Sequence, residues 1–175
     1  MTDGDRTVLV DASVFITLAD TGSADLLTGL DGSVVIPDCV RQEITSDPAA
    51  KTLSDAVADG LITCPEPVPD AAVEEAASHL GRSEEEVQGD AVLLAHALVE
   101  DDPVVITDDN PLRQTSKALS IPISGSIGVL VRTVERGDVD SDAAKETLYA
   151  MDEVGARLSA SLVKRAERLI DDAAD

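Results

Sequence analysis

The feature that most constrains the fold is a short apolar segment that ends in a carboxylate: Val8 to Val10, followed directly by Asp11. Three aliphatic residues in succession are typical of a strand that is buried on both faces. Similar segments lie at residues 34–36 and 104–106, and segments with helix signals separate them. Strands that alternate with helices predict an α/β fold of three layers, α/β/α, around a central parallel sheet of Rossmann-like topology.

Periodicity and turn residues divide the rest of the chain into short elements. The length of 175 residues predicts a single domain, with a core over about residues 7–135 and a C-terminal helical tail over about residues 138–173. Gly89 is expected to break the helical structure just before the helix that starts at Asp90. Predicted strands are 7–10, 34–36, 61–63, 104–106 and 121–123, and predicted helices are 14–18, 24–30, 38–44, 49–58, 70–80, 90–98, 111–119, 126–136, 142–152 and 158–171.

The chain carries 35 acidic and 13 basic residues, which gives a net charge of −22. Three explanations are open: a disordered acidic protein, an acidic face for a basic partner, or adaptation to high salt. The apolar content of 43% is too high and too periodic for disorder. Because the acids are dispersed and only four of the basic residues are lysines, we favour adaptation to high salt, as in a halophile. High salt would also screen the repulsion between this surface and a nucleic acid.

The sequence lacks the signals of several other protein classes. With one Phe, one Tyr and no Trp, the core is expected to be aliphatic, and platforms for stacking single-stranded bases are not available. Cys39 and Cys64 have neither a disulfide nor a zinc-finger spacing and are expected to be small buried residues. No glycine-rich phosphate-binding motif is present. Without a leader-like or membrane-spanning segment, we expect a cytoplasmic protein with no membrane partner.

Carboxylates follow two of the predicted strands directly. Asp11 ends the first strand, and Asp108 and Asp109 follow the strand at 104–106. Asp90 begins the helix before that strand, and Glu43 lies on a helix after another strand. Because parallel strands place their carboxyl ends along one edge of a sheet, acids from several strands are expected to meet there. Converging carboxylates repel one another unless cations lie between them, and oxygen ligands alone select Mg²⁺ or Mn²⁺.

Each of these acids also has a purely structural explanation. An Asp after a strand is often a turn residue or a helix cap, and a chain with 35 acids has such positions by chance. Asp90 would suit the dipole of its own helix, and Glu43 by itself is typical of a solvated helix residue. His79 and His96 lie apart and beside no nucleophile, so both are interpreted as structural.

Four segments, taken in order, resemble the acidic motifs of PIN domains, which are metal-dependent ribonucleases and include many toxins of VapBC-type toxin–antitoxin pairs. The resemblance covers about residues 7–135, and the segment from Ile123 to Gly137 is more similar to a prokaryotic PIN-like subfamily. The Thr-Asp-Asp stretch is also similar to the PIN domain of a ribosome-maturation endonuclease, although this chain lacks the cysteines for that enzyme's zinc ribbon. The four segments are D-A-S-V-F-I from Asp11, V-R-Q-E-I around Glu43, G-D-A-V-L-L-A-H-A from Gly89 and I-T-D-D-N from Ile106.

The resemblance implies a PIN-like fold and four catalytic residues: Asp11, Glu43, Asp90 and Asp109. Asp11, Asp90 and Asp109 would hold Mg²⁺ or Mn²⁺, directly or through water, and Glu43 would orient the attacking water. Asp108 is kept as an alternative ligand, although the family's usual order of Thr, any residue, Asp favours Asp109. The family often has a further acid a few residues later, and this chain lacks it. Both a site with one metal ion and a site with two are therefore kept as alternatives.

Positive charge near the acidic motifs would serve RNA phosphates. Arg113, Lys117, Arg132 and Arg136 lie in one short region against the acidic trend, and salt bridges with neighbouring acids are an equal alternative. Ser13 is not expected to act as a nucleophile, because no base accompanies it in the sequence. It would instead hydrogen-bond Asp11 or help to seat a metal. The residues predicted to bind substrate are Ser13, Asn110, Arg113 and Lys117.

The resemblance therefore predicts an endoribonuclease that hydrolyses RNA with Mg²⁺ or Mn²⁺. A toxin would also have a small antitoxin partner. PIN domains commonly form dimers, so a homodimer is expected, and the tail helices would serve as its interface. The alternatives are a non-catalytic PIN-like module that binds RNA or protein, an RNA-processing nuclease like the ribosome-maturation enzyme, and a regulatory cation site without hydrolysis.

Overall fold

The structure, a computed structural model, describes residues 6–86 and 88–175. The strands within these ranges are β1 (Thr7–Val10), β2 (Ser33–Val35), β3 (Pro103–Ile106) and β4 (Ile123–Ser124). They form one parallel sheet in the order β2–β1–β3–β4. The chain order therefore reverses between the two central strands, because β2 lies on one side of β1 and β3 on the other.

Helices connect the strands and cover the sheet. They are α1 (Ala12–Asp20), α2 (Asp25–Thr28), α3 (Asp38–Arg41), α4 (Ala49–Ala58), α5 (Asp70–Leu80), α6 (Gln88–Val99), α7 (Asn110–Ala118), α8 (Ser126–Glu135), α9 (Ser141–Met151) and α10 (Ala160–Ala174). Helices α5, α6 and α7 contact one another, whereas α8 contacts α1, α9 and α10. These two groups and the parallel sheet confirm the predicted α/β/α layers and the helical tail.

The core is aliphatic, as the scarcity of aromatic residues predicts. Val8, Leu9 and Val10 of β1 are buried because helices cover both faces of the sheet. Phe15 on α1 is also fully buried. The central strands are therefore held rigidly, and the loops that follow them start from fixed positions.

The outer strands differ from the sequence prediction. Residues 61–63 contribute only one parallel bridge, between Thr63 and Val35. The last strand is Ile123–Ser124 rather than 121–123, since Pro122 has no N–H to donate to a ladder. Cys39 and Cys64 were expected to be buried, but both are free thiols that are only half-buried.

Gly89 does not break the helical structure, contrary to the prediction. It is the second residue of α6, which begins at Gln88. The first N–H groups of a helix have no acceptor within the helix, so a glycine in this turn leaves the hydrogen-bond ladder intact. Local propensity therefore misplaced the start of this helix by two residues.

The tail helices pack onto the rest of the molecule. Helix α10 contacts both α8 and α9 and buries Ala166 and Ile170 completely. In the part of the chain that the structure describes, no helix combines the length and the apolar character that crossing a bilayer requires.

We expect Ile170→Ala to lower the free energy of unfolding by about 2–4 kcal/mol, because it leaves a cavity where α10 packs onto the rest of the molecule. Urea unfolding monitored by circular dichroism measures the change. The neighbouring Leu169 is 41% exposed, so Leu169→Ala is the matched control and should cost less than about 1 kcal/mol. Equal losses for the two variants would contradict the packing of α10 described here.

Candidate active site

Two acids lie at the carboxyl ends of the two central strands. In the β1–β3 ladder Val10 is opposite Ile106, and the N–H of Asp11 donates to the Ile106 carbonyl at 3.0 Å. The chain therefore leaves β1 at Asp11 and leaves β3 at Thr107 side by side, with Asp109 two residues further on. This is also the point where the strand order reverses, which is where open α/β sheets bind ligands.

Two hydroxyl groups hold the carboxylate of Asp11. Ser13 Oγ and Thr107 Oγ1 each donate to Asp11 Oδ2 at 2.9 Å. Thr107 Oγ1 also accepts from the N–H of Asp109 at 3.0 Å. Asp11 is only 8% exposed and Thr107 is fully buried, so these bonds orient the carboxylate and offset part of the cost of its burial.

The adjacent residues Asp108 and Asp109 have different partners. Asp109 is half-buried and caps α7, because its Oδ1 accepts from the N–H of Leu112 at 2.9 Å. Asp108 is exposed and accepts from the N–H and the hydroxyl of Ser126, at 3.0 and 2.6 Å, where α8 begins. The structure thus brings Asp109 toward Asp11 and turns Asp108 toward another helix.

Asp90 and Glu43 approach the same place, Asp90 from α6 and Glu43 from the turn after α3, which ends at Arg41 and so does not include Glu43 as predicted. Asp90 is half-buried in the first turn of α6. Glu43 follows α3, and its carboxylate lies against Gly89, where a Cβ would overlap Oε1 of Glu43. The glycine therefore provides the space into which the Glu43 carboxylate extends. We refer to Asp11, Glu43, Asp90 and Asp109 as the carboxylate cluster.

The members of the carboxylate cluster share one electrostatic environment. Burial is the main cause that raises the pKa of Asp90 from 3.8 to about 6, and the charges of Asp109, Asp11 and Glu43 raise it further. Burial also raises the pKa of Asp11, against the two hydroxyl hydrogen bonds that lower it. Desolvation and then the charge of Asp11 raise the pKa of Glu43. Burial and the neighbouring carboxylates therefore both disfavour ionisation of the cluster.

The cluster offers oxygen ligands to a cation but does not form a closed cage. Among the described residues, no three Asp, Glu, His or Cys side chains form a group that could hold a metal ion. Mg²⁺ is usually bound through one or two carboxylates and keeps several of its waters, so it does not need such a cage. The oxygen donors of Asp11, Asp90 and Asp109, with their excess of negative charge, fit an ion held in that way.

Three of the residues predicted to bind substrate lie on α7, the helix that Asp109 caps. Asn110, Arg113 and Lys117 are three and four residues apart and share one side of the helix. Arg113 is half-buried, and its Nη1 donates to the backbone carbonyls of Thr107 and Ser124, at 2.8 and 3.0 Å. Asn110 and Lys117 are exposed. The fourth, Ser13, hydrogen-bonds Asp11 as described above.

The other two basic residues of this region form ordinary ion pairs. Arg132 Nη2 lies 2.6 Å from Asp31, and Arg136 Nη1 lies 3.3 Å from the same carboxylate. The salt-bridge alternative therefore describes both arginines. The histidines are placed as structural residues would be: His96 is buried within α6, and His79 lies 3.9 Å from Glu75 on α5.

Sequence reasoning assigned no role to three residues that shape the cluster. Thr107 stands in the Thr-Asp-Asp motif, and its position directly after a strand was the signal that could have identified it. Gly89 was interpreted only as a helix breaker. Arg82 had no signal in the sequence, but its charge lowers the pKa of Asp90 against the effect of the neighbouring acids.

A comparison with protein families places these features in a known group. The model of the family DUF3368, described as a PIN domain, matches residues 7–172. The match extends from β1 into α10 and includes the whole carboxylate cluster. No curated protein matches the chain.

We expect the metal-free protein to lose stability as the pH rises from about 4 to about 6. The folded protein retains the Asp90 proton up to about pH 6, whereas the unfolded chain releases it near 3.8, so ionisation penalises the folded state. Asp90→Asn should remove this part of the pH dependence and raise the Tm at pH 7. Thermal unfolding in the presence of a chelator, between pH 4 and 8, measures both effects.

The control for this experiment is Asp20→Asn, at the opposite end of α1 from Asp11. Asp20 is exposed, and its substitution removes the same unit of charge from the acidic total. If the two variants gained the same stability at pH 7, general charge repulsion rather than the carboxylate cluster would be responsible.

Proposed function

The chain belongs to the PIN-domain family and has that family's nuclease fold, and we propose that it is a metal-dependent endoribonuclease that hydrolyses phosphodiester bonds in RNA. The observation that supports this most directly is the carboxylate cluster. Four acids from separate elements share one environment at the carboxyl edge of the sheet, where burial and then the charges of the other three acids raise the pKa of Asp90 to about 6. An arrangement that costs stability in the free protein is typical of a site with a function.

In the proposed mechanism, Asp11, Asp90 and Asp109 would hold Mg²⁺ or Mn²⁺, directly or through water. The bound ion would lower the pKa of a water and stabilise the charge that develops on the phosphate. Ser13 and Thr107 keep Asp11 in one orientation through their hydrogen bonds to Oδ2. A fixed carboxylate does not need to reorganise when the ion and the substrate arrive.

Glu43 is proposed to orient the attacking water and to accept its proton. Its pKa is raised by desolvation and by the charge of Asp11, and a carboxylate of higher pKa is a stronger base near neutral pH. Glu43 is exposed and extends into the space beside Gly89. It therefore remains accessible to a water while it stays near Asp11.

The RNA backbone is proposed to pass along α7. Asn110, Arg113 and Lys117 follow Asp109 on one side of this helix, so phosphates next to the scissile bond would meet hydrogen-bond donors and positive charge. The shared carbonyl contacts of Arg113 Nη1 hold its guanidinium in place and leave its other N–H groups for a phosphate.

We propose three finer features: adaptation to high salt, a toxin role with a small antitoxin, and a homodimeric assembly. The dispersed acid and the scarcity of lysine support adaptation to high salt, as in a halophile. The family resemblance supports a toxin role with a small antitoxin and a homodimeric assembly. A short neighbouring reading frame for a DNA-binding protein would support the toxin role, and ribosomal neighbours would support RNA processing.

One observation favours a second candidate, a non-catalytic PIN-like module that binds RNA or protein. Within the described residues, the acids form no group that could hold a metal by itself. If Mg²⁺ and Mn²⁺ do not bind even with RNA present, this candidate replaces the nuclease.

We expect Asp11→Asn and Asp109→Asn each to reduce cleavage of a labelled structured RNA pool by about 100-fold or more, because each removes a charged ligand at the proposed centre. The assay is run with Mn²⁺ or Mg²⁺ in high and low salt, and a chelator should abolish cleavage. Asp108→Asn is the matched control, because that carboxylate faces Ser126, and its activity should stay within severalfold of the wild type.

Circular dichroism establishes that each variant is folded before its activity is interpreted. A folded, metal-loaded wild type that cuts no RNA would contradict the nuclease. If Asp108→Asn were inactive and Asp109→Asn active, the metal ligands would be assigned wrongly although the nuclease itself would stand.

We expect Gly89→Ala to lower RNA cleavage while leaving the protein as stable as the wild type or more so. The new Cβ displaces the Glu43 carboxylate, whose flexible exposed side chain can move at little cost, and alanine is a better helix former than glycine by about 0.5–1 kcal/mol. Parallel measurements of cleavage rate and urea midpoint test this separation. An unchanged rate would show that the position of Glu43 does not matter for the reaction.

A further inference from the structure

A groove of about 840 Å³ lies beside the sheet, outside the carboxylate cluster. Val104 and Ile106 of β3 and both residues of β4 form its floor, and α8 and α10 contribute its walls. It reaches from Arg6, next to the start of β1, to Arg113 and Asp108, next to the end of β3. The groove therefore runs along the length of the central strands on the side of the helical tail.

The groove has apolar walls that no part of the described chain covers completely. Ile127 and Val131 are four residues apart on α8 and are only half-buried. Leu162 and Leu169 on α10 are 39% and 41% exposed. Aliphatic side chains aligned on two helices and left partly exposed are typical of a surface that binds an apolar partner.

The charge of the groove is opposite to that of the whole protein. Five arginines line it in a chain whose net charge is −22. Arg6 pairs with Asp102, and Arg132 pairs with Asp31 and Glu135. Among residues 6–86 and 88–175, no ion pair involves Arg157 or Arg165. Two exposed guanidinium groups beside an apolar surface complement carboxylates that accompany aliphatic side chains.

Two other occupants agree less well with these features. A second copy bound by two-fold symmetry would bring the same surface of each chain together, so the arginines of the two grooves would repel. Single-stranded RNA usually stacks its bases on aromatic rings, and neither Phe15 nor Tyr149 lines the groove. Aliphatic walls with separated arginines instead match a segment of another protein that carries leucine-like and acidic residues.

We propose that this groove is a docking site for an acidic, amphipathic segment of a partner protein. The apolar side of the segment lies against Ile127, Val131, Leu162 and Leu169, and its carboxylates meet Arg157 and Arg165. The proposal does not depend on RNA hydrolysis, because none of these six residues belongs to the carboxylate cluster. Docking there would attach the nuclease fold to another protein through a surface that meets the proposed RNA path only at Arg113, at one end of the groove.

The probe for this proposal is a fluorescein-labelled synthetic peptide of about 16 residues, with leucines at helical i, i+3, i+4 and i+7 spacing and glutamates elsewhere. Its binding to the full chain is followed by fluorescence anisotropy.

We expect saturable binding with a Kd below about 1 mM, and the double variant Arg157→Glu with Arg165→Glu should weaken it about tenfold. Arg168→Glu is the matched control on α10, outside the groove lining, and should change the affinity less than about twofold. Leu162→Ala with Leu169→Ala should weaken binding in low and high salt alike.

Several outcomes would overturn the proposal. Absence of saturable binding, equal binding of a peptide with lysines in place of glutamates, or equal loss with Arg168→Glu would each reject it. Competition by a single-stranded RNA that also loses affinity in the double arginine variant would assign the groove to RNA. A dimer that dissociates in that variant, measured by light scattering, would assign it to a second copy. Every binding measurement is repeated with the Asp11→Asn variant. Peptide binding should be unchanged in that variant, so failure of the nuclease proposal is distinguishable from failure of this one.

Discussion

The parallel pairing of β1 with β3 puts Val10 opposite Ile106, and the position of each carboxylate in the cluster follows from that register. A shift of one residue would turn Asp11 toward the opposite face of the sheet and separate it from the hydroxyl of Thr107. Apolar residues on both central strands prevent such a shift, because it would also move buried side chains. The core thus determines the geometry of the site without supplying any of its polar atoms.

Given that register, the cluster concentrates negative charge where water is scarce, and the surrounding chain limits the cost in several ways. Hydroxyl groups of Ser13 and Thr107 solvate Asp11. The helix start at α7 receives the carboxylate of Asp109 as its cap, which satisfies both partners. Asp90 has no such hydroxyl or cap contact among those described above, and its burial followed by the charges of the neighbouring acids raises its pKa to about 6. A divalent cation would remove that remaining repulsion.

Charge also separates the two surfaces with proposed roles. The acidic residues are dispersed along the chain, and in concentrated salt a Debye length of about 3 Å at 1 M would limit the reach of their charge. Against that background Arg113 of α7 lies where the two basic regions meet, whereas Lys117 belongs to α7 alone and Arg157 and Arg165 to the groove alone. The residues of α7 accompany Asp109 of the carboxylate cluster and the other two arginines accompany aliphatic side chains, so the two regions are suited to different ligands. Salt dependence therefore distinguishes the electrostatic part of each interaction from the apolar part.

The sequence by itself determined the alternation of buried strands and helices, the aliphatic core and the meeting of acids at one sheet edge. These follow from local patterns and from the direction of parallel strands, as Val8 to Val10 and the ends of α4 and α5 illustrate. Only the tertiary structure decided that Asp108 turns to Ser126, that Thr107 donates to Asp11, and that Gly89 makes room for Glu43. Such contacts join side chains far apart in sequence, up to 96 residues between Thr107 and Asp11. No local preference encodes them, because each depends on how separate elements pack.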